Sequence, residues 1–229
     1  MMCPHETANA ALPPSGWVIA PAEIVAGRGW PAIFGNHNPL KVDVGCGHGH
    51  FLTAMAQAEP ESNFIGIDIY AKSLARAQRK IDRLQLTNVR LLAMPAQAAF
   101  ATAFRSGQVA EVYINFPDPW PKRRHAPRRL VQPPLVALLH DRLQAQGVVT
   151  VATDVADYAR EMLQQFLAHG GFRSCLAGGI VSGLPDRLPT LYETKFRQQG
   201  LPLYYFKLCK ISSRPWPANA EGRHDPASR

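Results

Sequence analysis

The chain has 229 residues, 46% of them apolar and 18% charged, so it can bury a sizeable core and is not disordered throughout. That length fits one α/β domain with extensions rather than two full domains. Lysine and arginine number 25 against 17 acids, a formal charge of +8 at pH 7 that favours a polyanionic partner.

Residues 1–37 carry Pro4, Pro13, Pro14, Pro21 and Pro31 with little periodicity, which predicts an irregular arm with one short helix near residues 21–26. Leu40–Val44 is a short apolar run ending in glycines, the pattern of a buried strand. A helix over 50–58 follows, then a strand over 63–69, a helix over 71–86 and a strand over 89–94. A helix over 96–104 leads to a fourth strand, 111–116, which Pro117 ends. Beyond it come a helix over 129–144, a strand over 147–153, a helix over 156–169 and a last strand over 203–211. This alternation predicts a Rossmann-like α/β domain over residues 38–211, its seven-stranded sheet mostly parallel with helices on both faces. The Pro-rich polar stretch 212–229 is expected to be a disordered basic tail. Ligands of such sheets bind beyond the carboxyl ends of the strands.

No run approaches the ~18 apolar residues of a membrane span. The N-terminal residues lack the basic and continuous apolar regions of a signal peptide, so a cytoplasmic protein without a membrane partner is expected. Cys3, Cys46, Cys175 and Cys209 are far apart and form no CxxC pair. Neither a disulfide framework nor a zinc site is expected, and a reducing compartment is the default. His48, His50 and His125 have no metal-ligand spacing.

The first strand closes in Asp43-Val44-Gly45-Cys46-Gly47-His48-Gly49. Glycines admit positive φ and close approach of a ligand, and the next helix offers free N–H groups. The spacing G-x-G-x-G differs from the dinucleotide fingerprint. Asp43 is placed to meet an ammonium, and Asp68, at the end of the second strand, to accept from ribose hydroxyls. Together these resemble the S-adenosylmethionine site of class I methyltransferases.

The fourth strand ends in Phe116-Pro117-Asp118-Pro119-Trp120-Pro121-Lys122-Arg123-Arg124-His125, followed by Arg128-Arg129-Leu130. Each proline fixes its own φ, so the loop is stiff and holds the Asp118 carboxylate in place. No acid lies between Asp118 and Asp141, and Arg123, Arg124, Arg128 and Arg129 are candidates for RNA phosphates. The cations Lys72, Arg76, Arg79, Lys80 and Arg83 of the helix over 71–86 fit a solvated face equally well.

These blocks, with Ala152-Thr153-Asp154 and Thr190-Leu191-Tyr192-Glu193-Thr194-Lys195-Phe196, strongly resemble the bacterial tRNA (guanine-N7)-methyltransferase family from about residue 41 to 207. The resemblance implies transfer of a methyl group from S-adenosylmethionine to N7 of a tRNA guanosine in the variable loop. It implies donor contacts from Asp43, Asp68 and Asp118, with Asp118 in the central catalytic role. It implies substrate contacts from Lys122, Asp154, Thr190, Leu191, Tyr192 and Glu193, in a monomer or homodimer. The chain departs from the family after the third strand, where Met94-Pro95-Ala96 replaces an acidic or amide residue near the adenine. A backbone group of Ala96 or Gln97 is expected to hold the adenine instead. Two other readings stand beside this one: a methyltransferase of the same fold with another RNA or small-molecule acceptor, and an RNA-binding protein without catalysis.

Overall fold

The structure is a computed structural model that describes Ile19 and residues 29–211. The helix expected near 21–26 and the tail over 212–229 lie outside the described residues. The arm expected to be irregular to residue 37 instead ends in a helix, α1 (Gly29–Phe34). Trp30 anchors it: the ring is 2% exposed and its indole N–H donates to the Ala103 carbonyl at 2.8 Å. Pro31 lies in the first turn of this helix, where proline is tolerated.

The chain then runs β1 (Leu40–Val44), α2 (His50–Ala58), β2 (Asn63–Asp68), α3 (Ala71–Arg83), β3 (Val89–Ala93), α4 (Ala96–Thr102) and β4 (Val109–Asn115). Strands β1 and β2 are buried along nearly their whole length, as central parallel strands covered on both faces must be. The helix expected over 129–144 is shortened, chiefly at its start. A 3-10 turn spans Arg123–Arg128, and α5 runs only over Pro133–Arg142. The reason is Pro133-Pro134, which fits the first turn of a helix and no interior turn. Then come β5 (Leu143–Thr153), α6 (Ala156–Ala168), β6 (Phe172–Ser174), α7 (Leu191–Gln198) and β7 (Tyr204–Lys210). Strand β5 starts four residues before the expected position, and β6 is too short to carry a periodic signal.

The sheet has seven strands in the order β3-β2-β1-β4-β5-β7-β6, with β7 antiparallel to both neighbours and the rest parallel. Leu74, Ala77 and Ile81 of α3 pack with Leu52 and Met55 of α2 on one face. Trp30, Phe100, Leu139 and Phe166 pack on the other, bringing α1, α4, α5 and α6 over the sheet. The strand order reverses between β1 and β4, so the glycine loop after β1 and the proline loop after β4 emerge side by side at the switch point.

The expectation that no cysteines pair is corrected. Cys175 and Cys209 form a disulfide with Cα atoms 5.8 Å apart. They are 34 residues apart in sequence, and only the antiparallel return of β7 beside β6 joins them. Cys46 is buried and unbonded. Among the described residues no helix is long and apolar enough to cross a membrane.

Candidate active site

Asp43 sits in β1 between Gly66 of β2 and Tyr113 of β4 and is 2% exposed. Burial pushes its carboxyl up to about 7. The Asn115 hydrogen bond and the Arg187 charge oppose that rise, and Asp68 adds to it. A buried acid in this state is short of a cation. Gly45 has φ 73°, and a Cβ added there would meet nothing within 4 Å, so the loop leaves an open cradle above Asp43. Gly49, with φ 70°, lets α2 approach α3: an added Cβ would lie 2.8 Å from Ala77 Cβ. Gly47 N–H donates to Asp68 Oδ2 at 2.8 Å and Tyr70 N–H to Oδ1 at 2.8 Å, which fixes the Asp68 carboxylate while leaving each oxygen a lone pair.

The proline loop is strained at both ends: Phe116 and Trp120 have φ of 50° and 42°. For non-glycine residues that costs on the order of 1–2 kcal/mol each. Arg129 holds the loop in this shape. Its Nε donates to the Pro119 carbonyl at 2.8 Å and Nη2 to the Trp120 carbonyl at 3.2 Å, while Nη1 pairs with Glu161 and the guanidinium covers Tyr158. Arg129 was expected at RNA phosphates. Its polar atoms are instead committed to the loop, because it is the one cation of the run whose stem turns inward. Arg123, Arg124 and Arg128 are exposed, as is Lys122, which precedes the 3-10 turn. The Arg128 guanidinium covers the Trp120 ring at 5.1 Å.

Two cavities meet at Asp118. One, about 660 Å³, is lined by Asp43, Asn115, Asp154, Thr190, Leu191 and Tyr192 among others. The other, about 290 Å³, is lined by Asp68, Met94, Ala96 and Trp120. Gly45, Pro117 and Asp118 line both. A ligand with an amine at one end and a polar ring at the other fits this pair. Its amine would meet Asp43 and its ring would reach Ala96, the first residue of α4, whose N–H has no intrahelical acceptor. The residues present therefore fit S-adenosylmethionine.

The far wall of the larger cavity is the head of α7. Thr190 Oγ1 accepts from the Glu193 N–H at 3.0 Å and Glu193 Oε2 accepts from the Thr190 N–H at 2.7 Å, a capping box. That box holds the next turn, whose Tyr192 stacks on Phe196 at 4.2 Å and meets Phe116 at a tilt, with centroids 4.6 Å apart. The Tyr192 hydroxyl donates to Asp154 Oδ2 at 3.3 Å. Glu193 itself is fully buried and is held by Arg187 and by the Tyr205 hydroxyl at 2.8 Å. It therefore positions the cavity wall rather than facing a ligand.

The structure thus brings Asp43, Gly45, Gly47, Asp118, Asp154, Thr190, Leu191 and Tyr192 onto one cavity, and Asp68 and Ala96 onto its neighbour. Sequence reasoning missed Asn115 and Arg187. Arg187 carried no signal, since its partners lie six and 72 residues away in the chain. The T-x-x-E spacing of Thr190 and Glu193 is a readable helix start, and it could have placed α7.

A family model described as "Putative methyltransferase" matches residues 37–206. The chain is similar to a tRNA (guanine-N(7)-)-methyltransferase of Synechococcus sp. (strain JA-3-3Ab), 41% identical over 74% of this chain and 72% of that protein. It is also similar to the protein of that name from Geobacter metallireducens, 33% identical over 83% of this chain and 91% of that one. Among solved structures, an antibiotic-related methyltransferase aligns with TM-score 0.57 at 16% identity over 85% of this chain and 95% of that one. The antibiotic-resistance methyltransferase Kmr aligns with TM-score 0.55 at 18% identity, over 76% and 88%. Those two likenesses show the class I methyltransferase fold. The sequence relatives show more: by identity over most of both lengths, the chain belongs to the tRNA (guanine-N7)-methyltransferase family.

Proposed function

We propose that this protein transfers a methyl group from S-adenosylmethionine to N7 of a guanosine in the variable loop of tRNA. The observation that carries the reading is Asp118, held by the proline frame on the wall shared by the two cavities. A residue there can touch a donor and an acceptor base at once. All the site residues come from one chain, so the reading needs no second copy, and we place the reaction in the cytoplasm with the tRNA pool.

When bound, the donor supplies an electrophilic methyl whose bond to sulfur breaks as the N7–carbon bond forms, the electron pair leaving on sulfur. Guanine N7 is a lone pair in the ring plane and carries no proton, so no general base is required. The protein's task is orientation, which can supply roughly 7–11 kcal/mol. Asp43 would hold the ammonium, Asp68 the ribose and the Ala96 N–H the adenine. Asp118 and Asp154 would face the base, accept from guanine N1–H and the 2-amino group, and stabilise positive charge developing on the purine. Tyr192, braced by Asp154 and two aromatic neighbours, offers a stacking surface beside them. Lys122, Arg123, Arg124 and Arg128 on the rim would meet phosphates.

The test is methyl transfer from labelled S-adenosylmethionine to unmodified tRNA, followed by nucleoside mass spectrometry against standards. The expected product is 7-methylguanosine, from one site in the variable loop. Another methylated nucleoside would overturn the assigned atom, and donor and tRNA binding without any product would leave a binding protein.

A further inference from the structure

Arg187 is 5% exposed in its side chain and Glu193 is fully buried. The guanidinium forks onto the carboxylate, Nε to Oε1 and Nη2 to Oε2, both at 3.2 Å. Nη2 also donates to Asn115 Oδ1. Nη1 is buried without a hydrogen-bond partner. An orphaned donor of this kind carries a desolvation cost, so the guanidinium is held there for something beyond packing.

The consequence runs through Asn115. An amide has one acceptor end and one donor end. With Oδ1 turned to Arg187, Nδ2 must face Asp43, and it donates to Asp43 Oδ1 at 3.1 Å. Without Arg187 the amide is free to turn over and present oxygen to a carboxylate. Both influences that favour the Asp43 anion, the Asn115 hydrogen bond and the Arg187 charge, therefore depend on one residue. That residue is shared, because Glu193 claims the same cation and is held ionised by it. The other titratable groups around Asp43 are Asp68 on β2 and the Cys46 thiol of the glycine loop, with His48, His50, Asp118 and Asp154 further round the cavity. Asp68 opposes the Asp43 anion, and among the described residues Arg187 is the one cation that acts on it.

We propose that Arg187 is a positioning residue of the donor site: it fixes the Asn115 amide and divides its charge between Asp43 and Glu193, tying acceptance of the donor's ammonium to the capping box of α7. The inference rests on the reading of Asp43 as the ammonium site. Arg187 touches neither substrate and acts through Asn115 and Asp43.

The experiment is calorimetric titration with S-adenosylmethionine alone between pH 5.5 and 7.5, below the ~7.7–8.0 range of an α-amino group. Full-length protein is used throughout. In the wild type, affinity should rise about fivefold from pH 6 to pH 7 as Asp43 ionises. Arg187→Gln alone would strand a buried carboxylate, so the test uses Arg187→Gln/Glu193→Gln, since Gln keeps a capping box. Circular dichroism confirms that the pair folds. Its midpoint should move up by about one pH unit, which lowers affinity at pH 7 about fivefold and steepens the pH 6 to 7 rise to about ninefold. Glu193→Gln alone leaves Arg187 to Asp43, so its midpoint should move down. Arg187→Lys on the Glu193→Gln background should shift the midpoint less than Arg187→Gln. Equal loss of affinity at every pH, with the midpoint unmoved, would overturn the role of Arg187. A wild type with no pH dependence, together with Asp43→Asn binding the donor normally, would instead overturn the ammonium site.

Discussion

Asp43→Asn should stabilise the donor-free protein while removing its donor affinity. Burial raises the carboxyl from 3.8 to about 7 in the folded chain. The sign follows from linkage: a raised acid pKa means the folded state prefers the neutral form, so stability falls as pH climbs from about 4 to about 7 and stays low above that. The loss amounts to about three pH units at 1.36 kcal/mol each, or on the order of 4 kcal/mol. Asparagine imitates the neutral acid, keeps an acceptor for Asn115 and escapes that loss. The gap between variant and wild type should be under ~1 kcal/mol at pH 4 and widen to ~4 kcal/mol at pH 8. A chain of this size gains about 2–4 °C in Tm per kcal/mol, so the variant should melt about 8–16 °C higher at pH 8. Calorimetric melting of both proteins across pH 4–8, without donor, measures this. S-adenosylmethionine should then raise the wild-type Tm and leave the variant's unchanged. A gap that is flat with pH, or a variant that melts lower at pH 8, would refute the account of Asp43 as a buried acid short of a cation.

Other positions test the rest of the site. Asp118→Ala should cut methylation at least a hundredfold while tRNA affinity, read by filter binding, stays within about twofold. Arg129→Met removes the ties to the Pro119 and Trp120 carbonyls, so kcat should fall at least tenfold with the salt slope of tRNA binding unchanged; a lost slope would return Arg129 to the phosphate surface. Arg123→Glu/Arg124→Glu should weaken tRNA binding and flatten the plot of log affinity against log salt by about 1.5–2. Gly49→Ala should destabilise by about 2 kcal/mol or more in chemical denaturation, because positive φ and the Ala77 contact act together.

The parts of the fold legible in the sequence were those with a local cause. Strands β1 to β4 are apolar runs, all but β2 ended by glycine or proline, and each lies within two residues of its expected place. The glycine and proline loops announced themselves by composition, and the strand order then set them side by side. The misses had causes at a distance. The helix α1 exists because Trp30 reaches Phe104 and the Ala103 carbonyl, which no local pattern shows. The pairing of Cys175 with Cys209 depends on strand return. Arg129 and Arg128 are adjacent and alike in type, yet one braces the loop and the other is exposed, since the 3-10 turn ends at Arg128 and Arg129 continues in extended backbone. Glu193 read as a contact to substrate because its motif is specific, but burial makes it a support for Thr190 and Arg187.

The charges of the site sort by place. Asp43, Asp68, Asp118 and Asp154 line the two cavities with His48 and His50, whereas Lys122, Arg123, Arg124 and Arg128 are exposed beyond the proline loop, and only Arg128 of these four lines a cavity. A polyanion with a neutral base and a cationic donor would each meet the complementary zone. On the proposed reading the cavity acids would also favour the purine cation that methylation creates, so the chemistry would strengthen those contacts while leaving phosphate contacts unchanged. Exposed charges are screened within about 8–10 Å at ordinary salt, and buried ones far less. Salt should therefore weaken tRNA capture steeply while barely changing donor affinity, because Asp43, the proposed ammonium site, is buried.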